Sequence, residues 1–245
     1  MAGRPSAEAD ALALWFNPPG EANTGRRALT RERVVKEGLT VIGADGAQAL
    51  SMRALAARLG VVPGALYRHV RNKEQLYDLI LDAVLAEVDC RVDPGQPWAA
   101  QIAALAHRLR SVLEDRPGVA ALLKIRDPLS PASLALAEAF LAPLLAAGLP
   151  GREAAAAFRL IYDYTLGFAI ADPTSPAEQR LRDPATREQL QAFLRALPAS
   201  RFPALAAQGI HAWSADRDQR FGSGLDTLLR GLQADQLPAG ASPGC

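Results

Sequence analysis

Apolar side chains recur along this chain at spacings of three and four residues, the period of an amphipathic helix. No apolar–polar alternation runs long enough to pair as a strand. The pattern predicts a first helix from about Arg31 to Ile42, with Val34, Val35, Leu39 and Ile42 as its buried stripe. Thr30 stands where an N-cap is needed, and Gly43 and Gly46 close the helix. Ser51 caps a second helix in which Met52, Leu55 and Leu59 share a face, and Gly60 suits the left-handed position that ends it. Pro63 fits the first turn of a third helix, where its missing N–H costs nothing. Leu66 and Val70, four apart, face inward there and leave Gly64, Ala65 and Arg68 on another side. Asn72, with Gln75 three residues on, resembles a capping box opening a fourth helix that runs to about Asp89.

Beyond this point Asp93-Pro-Gly-Gln-Pro97 reads as a hinge. Further helical patterns follow near 97–115, 117–125, 131–147, 152–170, 185–197 and 214–233, with Pro143 expected to bend the third of these. Asp172 to Asp183, rich in Pro, Ser and charge, reads as a long loop. The division that results is a flexible arm over 1–25, a small helical head over 26–90, a larger helical body over 91–236 and a disordered tail over 237–245. There is no internal repeat. With Ala and Leu dominant, 49% of residues hydrophobic and 6% aromatic, the composition favours an all-α fold.

The formal net charge of +1 hides an asymmetry. Between Gly25 and Gln75 lie ten basic and four acidic side chains, a local charge of +6, and the remainder carries −5. A basic module on an acidic body is the electrostatic footprint of a DNA binder. Cys90 and Cys245 offer neither a disulfide framework nor metal spacing. The apolar run Leu12–Phe16 is too short for a signal peptide, and no stretch approaches the roughly 20 apolar residues of a membrane span. A cytoplasmic protein with no membrane attachment is expected. No Gly-x-Ser-x-Gly elbow, phosphate loop, dinucleotide fingerprint or His-Glu-x-x-His occurs, so neither an enzyme nor a cofactor is expected.

Residues 50–76 form two short helices broken at Gly60, the second presenting small and basic residues, followed by a third helix that starts beside Lys73. That is how a helix-turn-helix offers one helix to the major groove. The Gly60-Val, Leu66-Tyr-Arg-His-Val and Asn72-Lys-Glu elements resemble the DNA-binding signature of the tetracycline repressor (TetR) family, over about Leu29 to Ala86. Arg220-Phe-Gly-Ser-Gly-Leu-Asp-Thr-Leu-Leu-Arg-Gly-Leu232 resembles the last helix of that family's ligand domain. The resemblance implies an all-helical homodimer with a three-helix DNA head and a small-molecule pocket in the body. Its partners would be double-stranded operator DNA and a small-molecule effector. The alternative is a helical ligand-binding or interaction protein without sequence-specific DNA recognition.

Arg68 is the candidate base reader, because a guanidinium grips guanine with two bonds. Its alternative is an arginine lying along the phosphates. Tyr67, His69 and Lys73 match family positions that contact backbone phosphates; read as residues alone, they are a packed aromatic, a helix-end charge and a solvated lysine. Arg53, in the first turn of the second helix, is placed to reach a phosphate or base edge. Arg26 and Arg27 would follow the backbone or enter the minor groove from the arm. Pro63, Gly64 and Ala65 complete the reading surface with Val62, where the family usually carries a polar residue. Valine cannot cap the helix, a loss of about 1 kcal/mol, but it can touch a thymine methyl. With so few donors at these positions, DNA shape carries more of the specificity.

For the dimer, Phe158, Ile161, Thr165 and Phe168 repeat at helical spacing, as do Phe221, Leu225, Leu228 and Leu232, with Gly222 and Gly224 allowing close approach. A core stripe would look the same. Trp98, His107, Phe140, Tyr162, Tyr164, His211 and Trp213 are the candidate pocket residues, aromatic or titratable side chains of the kind that line small-molecule sites. Each is equally readable as core, and His107 and His211 are too isolated to argue for a metal.

Overall fold

The computed structural model describes residues 29–126, 128–170, 183–208 and 216–235. Arg26, Arg27, His211, Trp213, the arm, the loop after Asp172 and the tail lie outside them. The described residues are all-α, as expected, and divide after Ile170 into two compact units.

The first unit begins with α1 (Arg31–Asp45), α2 (Met52–Leu59), α3 (Pro63–Leu66) and α4 (Lys73–Leu85). Their starts are set by local chemistry. The amide of Arg33 donates to Thr30 Oγ1 (3.2 Å), that of Ala54 to Ser51 Oγ (3.1 Å) and that of Gln75 to Asn72 Oδ1 (2.8 Å). Each bond satisfies a donor the helix itself cannot. The capping box at Asn72 is displaced by one residue: Gln75 Oε1 accepts from the amide of Arg71 rather than from Asn72. Gly60, at φ +70°, ends α2 in the left-handed region that favours glycine.

Leu55, Leu66, Leu76 and Ile80 are buried between these helices. On α1 the buried stripe is Val34, Gly38, Val41 and Ile42, a correction to the sequence reading, which placed Val35 and Leu39 there. Those two side chains are only half-buried. Gly38 is inside because Ile80 fills its missing side chain: a methyl there would lie 2.8 Å from Ile80 Cδ1.

The same unit continues with α5 (Trp98–Glu114), α6 (Pro117–Ile125), α7 (Pro131–Ala146), which runs on through Pro143, and α8 (Gly151–Ile170). α8 packs on α5, α6 and α7, while α1 meets α6 and α4 meets α7. Four ties join α4 and the segment after it to these helices. Arg126 donates from Nη2 and Nε to Asp78 Oδ1 (2.8 and 3.1 Å). Arg116 Nη2 grips both oxygens of Glu87 (3.0 and 2.8 Å). Asp82 Oδ1 accepts from the Ala132 amide (2.9 Å), capping the first turn of α7. Arg108 donates to the carbonyls of Asp89 and Arg91. Beside that clasp the Arg91 guanidinium holds the Asp89 carboxyl down at about 2.

At Gly118 the obstacle is backbone. A methyl at that position would sit 2.9 Å from the Ile42 carbonyl oxygen and 3.0 Å from Ile42 Cγ2. The backbone oxygen of one helix cannot swing aside as a side-chain tip can. Gly118→Ala is therefore expected to cost about 1–3 kcal/mol of stability, the usual range for overpacking. Urea unfolding checks this, and a loss below about 0.5 kcal/mol would show that α1 and α6 separate freely.

The second unit contains α9 (Pro184–Arg195), capped by Asp183, α10 (Pro203–Gln208), which packs on α9, and α11 (Arg217–Asp235). α10 was not expected from the apolar pattern. On α11 Phe221, Leu225 and Leu229 form the buried stripe, with Leu228 and Leu232 half-buried.

Candidate nucleic-acid interface and effector site

α3 is one helical turn, extended to Val70 by the His69 amide donating to Leu66 O (2.9 Å) and the Val70 amide to the same oxygen (3.0 Å). Its inner side is Leu66 and Val70, 0% and 1% exposed. Its outer side is Val62 at 71%, with Pro63, Gly64, Tyr67 and Arg68 also exposed. Space around Gly64 is open: a methyl there would meet nothing within 4 Å. Ala65 and His69 are half-buried at the edges of this surface, and Arg53 is exposed on α2. Val62 makes no side-chain cap on α3.

Polar contacts fix the helices around this turn. Arg58 Nε donates to Glu37 Oε1 (2.6 Å), tying the end of α2 to α1 and neutralising one cation of the head. Thr30, its hydroxyl bonded to Glu32, holds that carboxyl below the usual carboxylate range, and the backbone amide of Glu32 adds to the effect. At the start of α4 the Lys73 ammonium lies 5.2 Å from the centre of the Tyr77 ring, whose hydroxyl donates to Ala47 O (2.6 Å). Tyr77, Asp78, Asp82, Arg116 and Arg126 did not emerge from sequence reasoning. Their partners lie 29 to 50 residues away, and no local spacing announces them.

In the larger helices the structure brings some candidate pocket residues together and leaves others apart. Phe140 and Tyr162, both buried, are joined through Phe158, with ring centres 5.7 and 5.8 Å apart. Tyr164 pairs with Phe168 at 5.0 Å, and the buried Arg110 guanidinium lies 5.8 Å over Phe168 while bonding Glu114 (2.7 Å). Trp98 is half-buried at the start of α5, and His107 is exposed on the outer face of that helix.

Four of the eight residues of the expected dimer stripes are enclosed within one chain. Ile161 and Thr165 are wholly buried within one chain, and Thr165 turns its hydroxyl back to Ile161 O (2.7 Å). Phe221 and Leu225 are buried too, at 0% and 1% exposed. A side chain already enclosed by its own chain has no surface to give a second one. Phe158 and Phe168 lie on the same inward side of α8, engaged with the rings just described. The outward face of α8 carries Ala156, Leu160, Asp163 and Gly167 instead. Among the described residues no helix is long and apolar enough to cross a membrane.

Comparison with known proteins agrees with this arrangement. Residues 34–80 match the family described as bacterial regulatory proteins, tetR family, and residues 92–236 match the tetracyclin repressor-like C-terminal domain. An HTH-type transcriptional regulator of Saccharopolyspora erythraea is 36% identical over 91% of this chain and 92% of its own length. The HTH-type transcriptional repressor DrrR1 of Streptomyces coeruleorubidus is 31% identical over 90% of this chain and 83% of its own. The crystal structure of the Streptomyces coelicolor TetR family protein ActR in complex with actinorhodin superposes with a TM-score of 0.72. It is 34% identical and covers 85% of this chain and 98% of that one. With both halves matched to one family and a helix-turn-helix turned outward at Gly64 and Arg68, the chain belongs to the TetR family of bacterial transcriptional regulators.

Proposed function

We propose that this chain is a ligand-responsive DNA-binding repressor whose dimer sets two copies of α3 in successive major grooves of a pseudo-palindromic operator, about 34–36 Å apart. One observation carries the reading: α3 presents Gly64, Tyr67 and Arg68 to solvent while Leu66 and Val70 hold it from behind. A one-turn helix exposed in this way has no packing role on its outer side. The alternative of a helical binding protein without DNA recognition is not favoured, since its relatives are named as transcriptional regulators and repressors.

Arg68 reads a base edge, and Arg53, Tyr67, His69 and Lys73 contact phosphates, with Arg26 and Arg27 adding contacts from the arm. Val62 and Ala65 supply apolar contact to the groove. The effector binds beside the aromatic run Phe140–Phe158–Tyr162, whose rings suit an apolar molecule; that the similar ActR forms a complex with actinorhodin supports a small-molecule effector. It releases the operator by favouring a spacing of the heads that no longer fits the duplex, which requires different affinities for the two states. The second copy docks through the outward face of α8 around Leu160, where Gly167 leaves room for close approach. Such a regulator acts in the cytoplasm.

Binding to the DNA upstream of the gene, measured against random competitor at two salt concentrations, tests the reading. Specific retention supports it, and sequence-blind, purely salt-sensitive binding overturns it. In the same assay Arg68→Ala is expected to cost about 1–3 kcal/mol on operator and to relax sequence preference. Lys73→Ala is expected to weaken operator and random DNA alike. Equal losses on both DNAs for Arg68→Ala would remove the base contact.

A further inference from the structure

Two cations share one aromatic ring at the junction between the DNA head and the larger helices. The Lys73 ammonium lies 5.2 Å from the centre of the Tyr77 ring, and the Arg126 guanidinium carbon lies 5.9 Å from the same centre. Lys73 and Tyr77 are four residues apart on α4 and so stand on one face of it. Arg126 comes from the far end of α6, 48 residues beyond the aspartate it binds. From there it touches the first turns of α4 at three points: the Asp78 carboxylate, the Tyr77 ring and, at 3.5 Å, the Glu74 carbonyl.

We propose that Tyr77 is a positioning residue for DNA binding, fixing the Lys73 ammonium for its phosphate, and that Arg126 governs Lys73 through this ring without touching DNA. The proposal rests on the reading of Lys73 as a phosphate contact. A lysine carries its charge on a four-carbon stem with several rotamers, and an electron-rich ring face restricts them. The ring itself is held, because its hydroxyl donates to Ala47 O at 2.6 Å. The ring attracts both cations while they repel one another, and Asp78 offsets that repulsion by pairing with Arg126. Any change that shifts Arg126 therefore alters the field and the space in which the Lys73 ammonium sits. Lys73 thereby gains an electrostatic link, through the Tyr77 ring, to the residue that caps α6.

The test uses the full-length protein on its operator, with affinity measured across a salt series for R126Q, K73A, Y77F, Y77L and the K73A/R126Q double variant. K73A is expected to flatten the salt slope by about one counterion per head. R126Q takes the guanidinium from the Asp78 carboxylate, which then draws the Lys73 ammonium from its phosphate; it is expected to weaken binding about two- to fivefold per head, a loss that should vanish in the K73A background. Y77L should lose the Lys73 contribution to the slope, and Y77F, which keeps the ring, should retain most of it. A folding role alone would not move the slope, and circular dichroism melting identifies a variant that fails to fold. Additive losses for R126Q and K73A, or a full slope in folded Y77L, would overturn the proposal. K73A leaving affinity and slope unchanged would instead overturn the phosphate reading beneath it.

Discussion

Leu66→Ala is expected to lower the unfolding free energy by about 2–5 kcal/mol and to abolish operator binding, though Leu66 touches no DNA. α3 is four residues long, and a helix of that length cannot sustain itself: nucleation fixes several dihedrals for very few hydrogen bonds. Its start is also uncapped, because Val62 offers no acceptor. What holds the turn is the burial of Leu66 and Val70, 0% and 1% exposed. Alanine keeps the helix propensity and removes only the packed side chain, so the loss isolates that anchor. A domain stability of about 5–15 kcal/mol makes the change large. Leu66→Met, nearly conserving volume, should cost less than about 1.5 kcal/mol. Urea unfolding at equal protein concentration measures both. A loss below about 1 kcal/mol for the alanine variant would mean that something other than Leu66 holds the reading helix.

What the sequence disclosed and what it concealed divide by distance along the chain. The caps at Thr30, Ser51 and Asn72 and the left-handed turn at Gly60 were legible because each acts within four residues of itself. The orientation of α3 was legible for the same reason, since two apolar residues four apart define its inner side. The stripe of α1 was misjudged because a glycine carries no hydropathy signal, yet Gly38 is buried by a side chain from α4. Ile161 and Thr165 were misjudged because the same helical period describes a core and an interface. Only the helices packed around α8 decide between them. Arg126 and Asp78 were invisible because an arginine in sequence looks the same whether it meets water or a carboxylate 48 residues away. The pocket candidates suffered from both problems; among the described residues the structure joins Phe140 and Tyr162 through a third ring assigned elsewhere.

The charge asymmetry leads to the second large effect. The operator complex is expected to weaken about 10⁴-fold between 50 and 200 mM salt, because two heads neutralising roughly four phosphates each release some seven counterions. The number is smaller than the ten basic residues between Gly25 and Gln75 suggest, and the structure explains part of the difference. Arg58 is already neutralised by Glu37 at 2.6 Å, and a cation that keeps its carboxylate partner displaces few ions from DNA. Arg53 and Arg68 are exposed beside the reading turn, and Lys73 is held by a ring rather than an acid. Glu37→Gln removes that carboxylate partner. It frees Arg58 at the end of α2, so the slope should steepen by up to about one counterion per head if Arg58 then reaches a phosphate, and random DNA should gain as much as operator. A slope near two in the unaltered protein would mean that the basic surface around α3 does not lie on the duplex, whatever its family.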